Sequence, residues 1–153
     1  MQKTIFVLLS AVCMIIFAGG FYILPEGPSL QSKDFREEPE IIIQIGDKSF
    51  TADLYDNASA HALLERLPLS LTMDELNGNE KYYYFSEEFP VSEERVEDIK
   101  AGDIMLYGPD CLVLFYESFP TSYSYTRIGC TEDITGLADA LGSGSVQVVF
   151  RPD

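Results

Sequence analysis

Eight short segments of the chain carry strand patterns, either an alternation of apolar with polar residues or a wholly apolar run. In Ser49–Tyr55, for example, Phe50, Ala52 and Leu54 alternate with other residues and therefore share one face. Glu40–Ile45 precedes this segment, and the turn-forming stretch Gly46–Lys48 lies between them. The two segments are therefore predicted to form a hairpin. The other seven segments are Glu40–Ile45, Leu69–Met73, Lys81–Phe85, Ile104–Tyr107, Cys111–Tyr116, Tyr123–Cys130 and Ser145–Phe150.

Two further segments repeat apolar residues at helical spacing. The first runs from Ala60 to Leu67 with apolar residues at positions i, i+3, i+4 and i+7. Asp56 and Asn57 are predicted to cap it, and Pro68 ends it. The second is the short stretch Leu137–Gly142, which Thr135 is predicted to cap and where the glycine ends the helix. The pattern thus predicts one short helix near each end of a run of strands.

The order of these elements indicates a closed sheet. The first and last strands are both apolar, and as open edges they would be prone to aggregation. Pairing them with each other removes both edges. We therefore predict a mainly β domain, a closed or nearly closed barrel whose ends are plugged by two short helices. The acidic residues 87–98 are expected to form a solvated loop.

An uncharged run precedes the domain. Residues 4–24 contain no charged side chain, and 21 residues in a helix suffice to cross a bilayer core. Lys3 stands before the run and acidic residues follow it, which places the domain outside the cytoplasm. Two readings stay open: an uncleaved membrane anchor, favoured by the length of the run, or a signal peptide cleaved near Ala18–Gly20 and a secreted domain. The predicted organisation is 1–24 signal anchor or signal peptide, 25–39 linker and 40–153 domain.

The net negative charge of the chain narrows the class of partner that the domain can bind. The chain has a net charge of −15, and from Ile41 onward 7 Lys and Arg stand against 20 Asp and Glu, a net −13. Such a surface repels nucleic-acid phosphates and anionic lipid head groups, so neither is expected as a partner of the domain. The acidity serves solubility or attracts a cationic partner or metal.

Several segments together resemble a known family. They are Ile41–Tyr55, LTMDELNGNEKYYYF at Leu71–Phe85, KAGDIMLYGPDCLVLFY at Lys100–Tyr116, and SYSYTRIG followed by GLADALGSGSVQVVF up to Phe150. The domain resembles the small bacterial cyclophilin-like domains, which implies an eight-stranded cyclophilin-like barrel with two capping helices. True cyclophilins isomerise X-Pro bonds with a Phe-His-Arg motif and a Gln-Gly-Gly-Asp segment, and neither occurs here. No catalytic residue is therefore assigned. A non-catalytic module of the cell envelope that binds a peptide or small molecule is favoured over two alternatives, a divergent peptidyl-prolyl isomerase and a purely structural or interaction module.

Aromatic side chains and one cation are the candidate ligand-binding residues. Tyr83, or alternatively its neighbour Tyr84, presents a ring from a strand that is aromatic on both faces, and Tyr123, Tyr125 and Arg127 follow at alternate positions that share a face. The guanidinium would donate to a carboxylate or carbonyl of a ligand. The competing interpretations are a packed aromatic core and an internal salt bridge of Arg127 with one of the many acidic residues.

The cysteines and the single histidine complete the candidate chemistry. A hairpin that pairs Tyr116 with Tyr125 would set Cys111 directly opposite Cys130, which predicts a disulfide in an oxidising compartment. Two free buried thiols are the alternative. His61 lies off the apolar stripe of its helix and has no Cys or His at ligand spacing, so no metal site is predicted. No cofactor is expected.

Overall fold

The computed structural model describes residues 38–153. The predicted anchor or signal segment, residues 4–24, and residues 25–37 of the predicted linker lie outside the described residues. Within the described part, no helix is both long and apolar enough to cross a membrane.

Eleven strands and two helices make up the described part of the chain. The helices are α1 (Ala58–Arg66) and α2 (Leu137–Leu141). The strands are β1 (Glu40–Ile45), β2 (Lys48–Leu54), β3 (Leu69–Leu76), β4 (Glu80–Tyr84), β5 (Glu94–Arg95), β6 (Asp98–Ile99), β7 (Asp103–Tyr107), β8 (Cys111–Phe115), β9 (Phe119–Pro120), β10 (Ser124–Cys130) and β11 (Val146–Pro152).

Eight of these strands close into a barrel. Their order is β2-β1-β11-β3-β4-β8-β7-β10, and β10 pairs again with β2 to complete the ring. Every neighbouring pair is antiparallel. The predicted mainly β, closed eight-stranded barrel is confirmed, and its strands are the eight that the pattern predicts. First and last strands pair as expected, with Ile43 opposite Phe150.

The barrel interior is filled by the inward residues of the alternating strands. On β1 these are Ile41, Ile43 and Ile45, all almost fully buried. A barrel of eight strands is just wide enough for such side chains, so the interior is a packed core. Burial of each large aliphatic or aromatic side chain stabilises the fold by about 1.5–3 kcal/mol.

The two helices close opposite ends of the barrel. Helix α1 follows the end of β2, whereas α2 leads into the start of β11. Strand β1 lies between β11 and β2, and its register places the starts of these two strands at the same end of the barrel. Both helices bury apolar side chains in the interior core. Of the two predicted caps of α1, Asn57 is the N-cap, since its side-chain oxygen accepts from the Ala60 N–H at 2.9 Å. The predicted Thr135 cap of α2 is wrong, because Gly136 is the N-cap and no side chain caps this helix; Gly142 is its C-cap, as predicted.

Strands β7 and β8 are apolar on their outer faces as well as their inner ones. A second cluster of buried side chains covers that outer face, contributed partly by the chain around β5, β6 and β9. The predicted solvated loop is thus only partly correct, because Val96 and Ile99 of this stretch are buried. The members of this second cluster are Val96, Ile99, Met105, Cys111, Val113, Phe115 and Tyr125.

Candidate functional site

An open groove crosses the outer face of the barrel over strand β8. In the sheet, β8 lies between β4 and β7. The register places Tyr84 and Tyr107 on either side of Cys111, and Tyr82 beside Val113. Because the flanking residues are large and those on β8 are small, the centre of the sheet forms a floor between two aromatic walls. We call this site the tyrosine groove; its five tyrosines are Tyr82, Tyr84, Tyr107, Tyr123 and Tyr125.

The walls are built from near-perpendicular pairs of rings. Tyr82 and Tyr84 meet at a centroid distance of 5.8 Å and an angle of 76°. Tyr107 meets Tyr123 at 6.0 Å and 81°, whereas its contact with Tyr125 at 5.7 Å is tilted, with an angle of 54°. The exposed fractions of Tyr84, Tyr107 and Tyr123 are 57 %, 46 % and 60 %, whereas Tyr125 is buried. Three rings are therefore open to a ligand, and Tyr125 supports them from below.

The groove has the size of a ligand site. Its cavity volume is about 510 Å³, within the range of about 300–1,000 Å³ that small-molecule sites occupy. One rim is the segment Phe119–Ser122, which follows β8 and folds back over it, and the other is the turn between β3 and β4. On that second rim, the side-chain oxygen of Asn79 is buried with no hydrogen-bond donor among the described residues.

The charge inside the groove is negative. Glu80 lies opposite Phe115 on the outer face and lines the groove. Burial, followed by the nearby charge of Glu75, raises the pKa of Glu80. Burial also raises the pKa of Tyr125 to about 12, and the charge of Glu80 adds to that rise. None of the described lining residues is a Lys, Arg or His.

Cys111 does not offer a nucleophile on this floor. Its side chain is buried, and burial raises the pKa of the thiol to about 11, against the lowering effect of a hydrogen bond with Tyr84. The thiolate is the reactive form of cysteine, so a thiol with this pKa is inert near neutral pH.

The predicted disulfide between Cys111 and Cys130 is wrong. Both thiols are free, because β8 and β10 are not neighbours in the sheet. Strand β7 lies between them and pairs Tyr107 with Cys111 but Asp103 with Cys130. The two cysteines are thus displaced by four residues along β7, about 13 Å, beyond the reach of a disulfide.

The structure brings together only two of the four predicted ligand-binding residues. Tyr123 and Tyr125 line the groove, but Tyr83 faces the interior core, where it packs edge-on against Phe85 at 5.0 Å. Its neighbours Tyr82 and Tyr84 occupy the outer face instead. Sequence reasoning also missed Tyr107, although the hairpin turn at residues 108–110 sets it opposite Cys111.

Arg127 lies outside the groove. Its Nε donates to Glu94 Oε1 at 2.6 Å, and both side chains are partly exposed. Two smaller clefts of about 440 and 270 Å³ flank this pair, and both also include Tyr55. Burial, followed by a hydrogen bond with Cys130, raises the pKa of Tyr55 to about 12. The salt-bridge interpretation of Arg127 therefore describes the structure better than a ligand pocket shared with Tyr125.

A second polar site lies on the inner face of β4, the strand that carries Glu80, and we call it the lysine site. Lys81 is completely buried, and its Nζ donates to Glu75 Oε2, to the Gly142 carbonyl at 2.8 Å and to the Gly144 carbonyl at 2.6 Å. The Tyr116 hydroxyl donates to the other oxygen of Glu75 at 2.7 Å. All three ammonium protons are satisfied, so this site ties the end of α2 to the barrel wall.

Comparison with known proteins identifies the shared fold. A family model described as the cyclophilin-like family matches residues 43–151. The solution structure of a hypothetical protein from Archaeoglobus fulgidus superposes with a TM-score of 0.58 at 18 % identity, covering 76 % of this chain and 96 % of that one. At such identity the likeness concerns the fold alone. No curated protein sequence matches the chain. Among residues 38–153, no three His, Cys, Asp or Glu side chains converge to hold a metal ion.

Proposed function

The chain belongs to the cyclophilin-like family, and on that premise we propose that it is a non-catalytic module that binds a peptide or small organic molecule in the tyrosine groove. The observation that carries this proposal is the groove itself. Three exposed tyrosine rings stand over a floor of small side chains in a cavity of about 510 Å³. Tyrosine supplies contact area and a hydroxyl for hydrogen bonding at low cost in side-chain entropy, which suits it to recognition.

The chemistry of the groove favours binding over turnover. A general acid or base needs to reach the reacting group with a pKa close to the working pH. The Cys111 thiol and the Tyr125 hydroxyl of the groove have pKa values of about 11 to 12. Glu80, whose pKa is raised by burial, lines the groove with no second carboxyl group and no His or Lys among the described lining residues to act with it. His61 stands on α1 with its ring nitrogen 3.1 Å from Asp56, and it does not line the groove.

The alternative of a divergent peptidyl-prolyl isomerase rests on the shared barrel and on the position of Arg127. This residue lies on the outer face, opposite Met105, as does the groove. The ion pair with Glu94 engages its guanidinium, which weighs against a role in holding a substrate carbonyl.

A binding screen separates these functions. Purified full-length chain in a non-ionic detergent is titrated with a library of fluorescein-labelled hexapeptides, with polarisation as the readout. Removal of two exposed rings by Tyr84→Ala and Tyr107→Ala together should weaken binding at least tenfold, because aromatic anchors carry much of the energy of such interfaces. Ile134→Ala removes an equally exposed apolar side chain outside the groove and should leave binding unchanged.

A prolyl peptide assay on the same protein addresses the alternative. We expect no acceleration of cis–trans exchange. Acceleration that Arg127→Leu abolishes would establish the isomerase instead. An absence of any peptide or small-molecule binding would leave the purely structural module.

We also propose that the domain acts outside the cytoplasm, held at the membrane by residues 4–24 or released after their cleavage. Support comes from the uncharged run and from the acidic residues that follow it. Protease added to intact cells should remove the domain, whereas full protection would contradict this location.

A further inference from the structure

From the charge and the rings of the tyrosine groove, and resting on the proposed function, we infer that its ligand is a peptide that inserts a lysine or arginine side chain. The groove combines three features that together select an organic cation on an apolar stem. These are perpendicular aromatic pairs, a carboxylate without a counter-charge, and an apolar floor.

The aromatic pairs supply the first feature. The face of an aromatic ring carries negative potential, so a cation within about 6 Å of its centroid is attracted. Two perpendicular rings form a corner, and the groove has such a corner on each wall, Tyr82 with Tyr84 and Tyr107 with Tyr123. A stem of methylene groups fits between the walls, above Cys111 and Val113.

The chain already holds one of its own guanidinium groups in this way. Arg66 places its Cζ 3.6 Å from the centroid of Phe89 and 5.6 Å from that of Phe85. Those two rings meet at 5.1 Å and 73°, much as Tyr82 and Tyr84 do at 5.8 Å and 76°. The Phe85–Phe89 pair is occupied from within the chain, whereas no described Lys or Arg lines the groove.

Glu80 supplies the second feature. Its carboxylate lines the groove and has no ion-pair or hydrogen-bond partner among residues 38–153. The adjacent lysine cannot neutralise it, because Lys81 points into the barrel with its three protons donated elsewhere. An ammonium or guanidinium group in the groove would give this partly buried carboxylate its counter-charge.

The negative charge around the groove also favours a cationic ligand. Asp110 lies close enough to raise the pKa of Cys111, after the larger effect of burial, so negative charge stands at both ends of the groove. The domain as a whole carries −13 from Ile41 onward. A field of this sign concentrates cationic ligands and speeds their association, and it repels acidic ones.

An isosteric pair of peptides tests the role of charge. Full-length protein in a non-ionic detergent is titrated calorimetrically with the peptide Gly-Ala-Arg-Ala-Gly and with the same peptide carrying citrulline, which keeps the shape of arginine and lacks its charge. We expect the arginine peptide to bind at least tenfold more tightly. Raising NaCl from 50 to 500 mM should reduce this preference, because salt screens the attraction.

Variants locate the preference in the groove. Glu80→Gln should reduce the preference for arginine to less than threefold. Glu65→Gln makes the same change in net charge at an exposed position of α1 outside the groove and should retain the full preference. Circular dichroism verifies that both variants are folded, and the wild-type comparison of the two peptides stands without either.

The outcomes distinguish this inference from the proposed function. Equal affinity for both peptides, lost on the double change Tyr84→Ala and Tyr107→Ala, would overturn the cationic ligand and leave the groove as a binding site. Tight binding of hexyltrimethylammonium with none of the arginine peptide would overturn the peptide and point to a free organic cation. If no member of the hexapeptide library and neither of these probes binds, both the inference and the proposed function are wrong.

Discussion

Two adjacent residues of β4, Glu80 and Lys81, lie in opposite polar sites. Lys81 points inward and belongs to the lysine site, where it is completely buried and every proton has an acceptor. Glu80 points outward into the tyrosine groove, half-buried, with no partner among the described residues. One strand therefore carries a charge that the fold satisfies and a charge that it does not.

The difference separates charge used for stability from charge available for recognition. Burial of a charged group away from water costs roughly several kcal/mol unless hydrogen bonds or an opposite charge compensate that loss. Inside the barrel the carboxylate of Glu75 and two carbonyls provide that compensation. In the groove, Glu80 is only half-buried, so its uncompensated cost in the unliganded protein is much smaller, and a cationic ligand would relieve it. The lysine site should therefore dominate stability, and the groove should dominate binding.

The largest expected effect is on stability, at Lys81. Lys81→Met keeps the apolar stem but leaves Glu75 and the carbonyls of Gly142 and Gly144 without their donor. We expect the free energy of unfolding to fall by about 3–5 kcal/mol, as when one partner of a buried pair is removed. Urea denaturation monitored by circular dichroism measures it.

Lys48→Met provides the matched control. Lys48 is exposed at the start of β2, so its loss should change the free energy of unfolding by less than about 0.5 kcal/mol. Similar effects of the two substitutions would show that the lysine site contributes nothing special to the fold.

The same comparison explains what could be predicted from the sequence. Alternation and short apolar runs identified all eight barrel strands, and the apolar first and last strands predicted closure, because these patterns follow from burial in the sheet. Tyr83 was predicted to bind a ligand but faces the interior, because Lys81, a charged residue, occupies an inward position of β4 and residues two apart share a face. A strand that is aromatic on both faces gives no alternation to correct that error.

The pairing of strands that are distant along the chain could not be predicted from the sequence either. The disulfide prediction assumed that β8 and the later strand β10 pair directly, as consecutive strands often do. In the fold, residues 117–123 pass over the outer face and β10 pairs with β7. That crossing depends on the tertiary packing of Val96, Ile99 and Phe119, which no local pattern encodes. The tyrosine groove beneath this crossing could not be predicted from the sequence for the same reason.

An intermediate effect is expected at Glu75, and it depends on pH. Burial tends to raise the pKa of Glu75, but hydrogen bonds from Lys81, Tyr116 and the Gly78 N–H outweigh it and lower the pKa below its ordinary value of 4.5. A lowered pKa means that the charged form stabilises the fold at pH values above 4.5, and that this contribution is lost as the pH falls through the folded-state pKa.

Glu75→Gln should therefore reduce the free energy of unfolding by about 2 kcal/mol at pH 7, the scale of hydrogen bonds to a charged group. The difference from wild type should shrink as the pH falls from 4.5 through the lower folded-state pKa, because the wild-type carboxyl group is then protonated as well. Urea denaturation at several pH values between 3 and 7 measures it, with Glu65→Gln as the control. A difference that does not vary with pH would contradict the role of the ionised carboxylate.

The smallest expected effect has the opposite sign and lies at Glu80. The pKa of Glu80 is raised, first by burial and then by Glu75, so the folded state binds its proton more tightly than the unfolded state does. This carboxylate therefore costs stability as the pH rises through its folded-state pKa, and costs nothing below its unfolded-state pKa. Glu80→Gln should raise the free energy of unfolding by about 0.5 kcal/mol at pH 7 and leave it unchanged near pH 3. Urea denaturation at both pH values measures it, and the same variant should bind the arginine peptide less tightly. A loss of stability at pH 7 would mean that the fold itself compensates this charge, and the two polar sites of β4 would then no longer differ in kind.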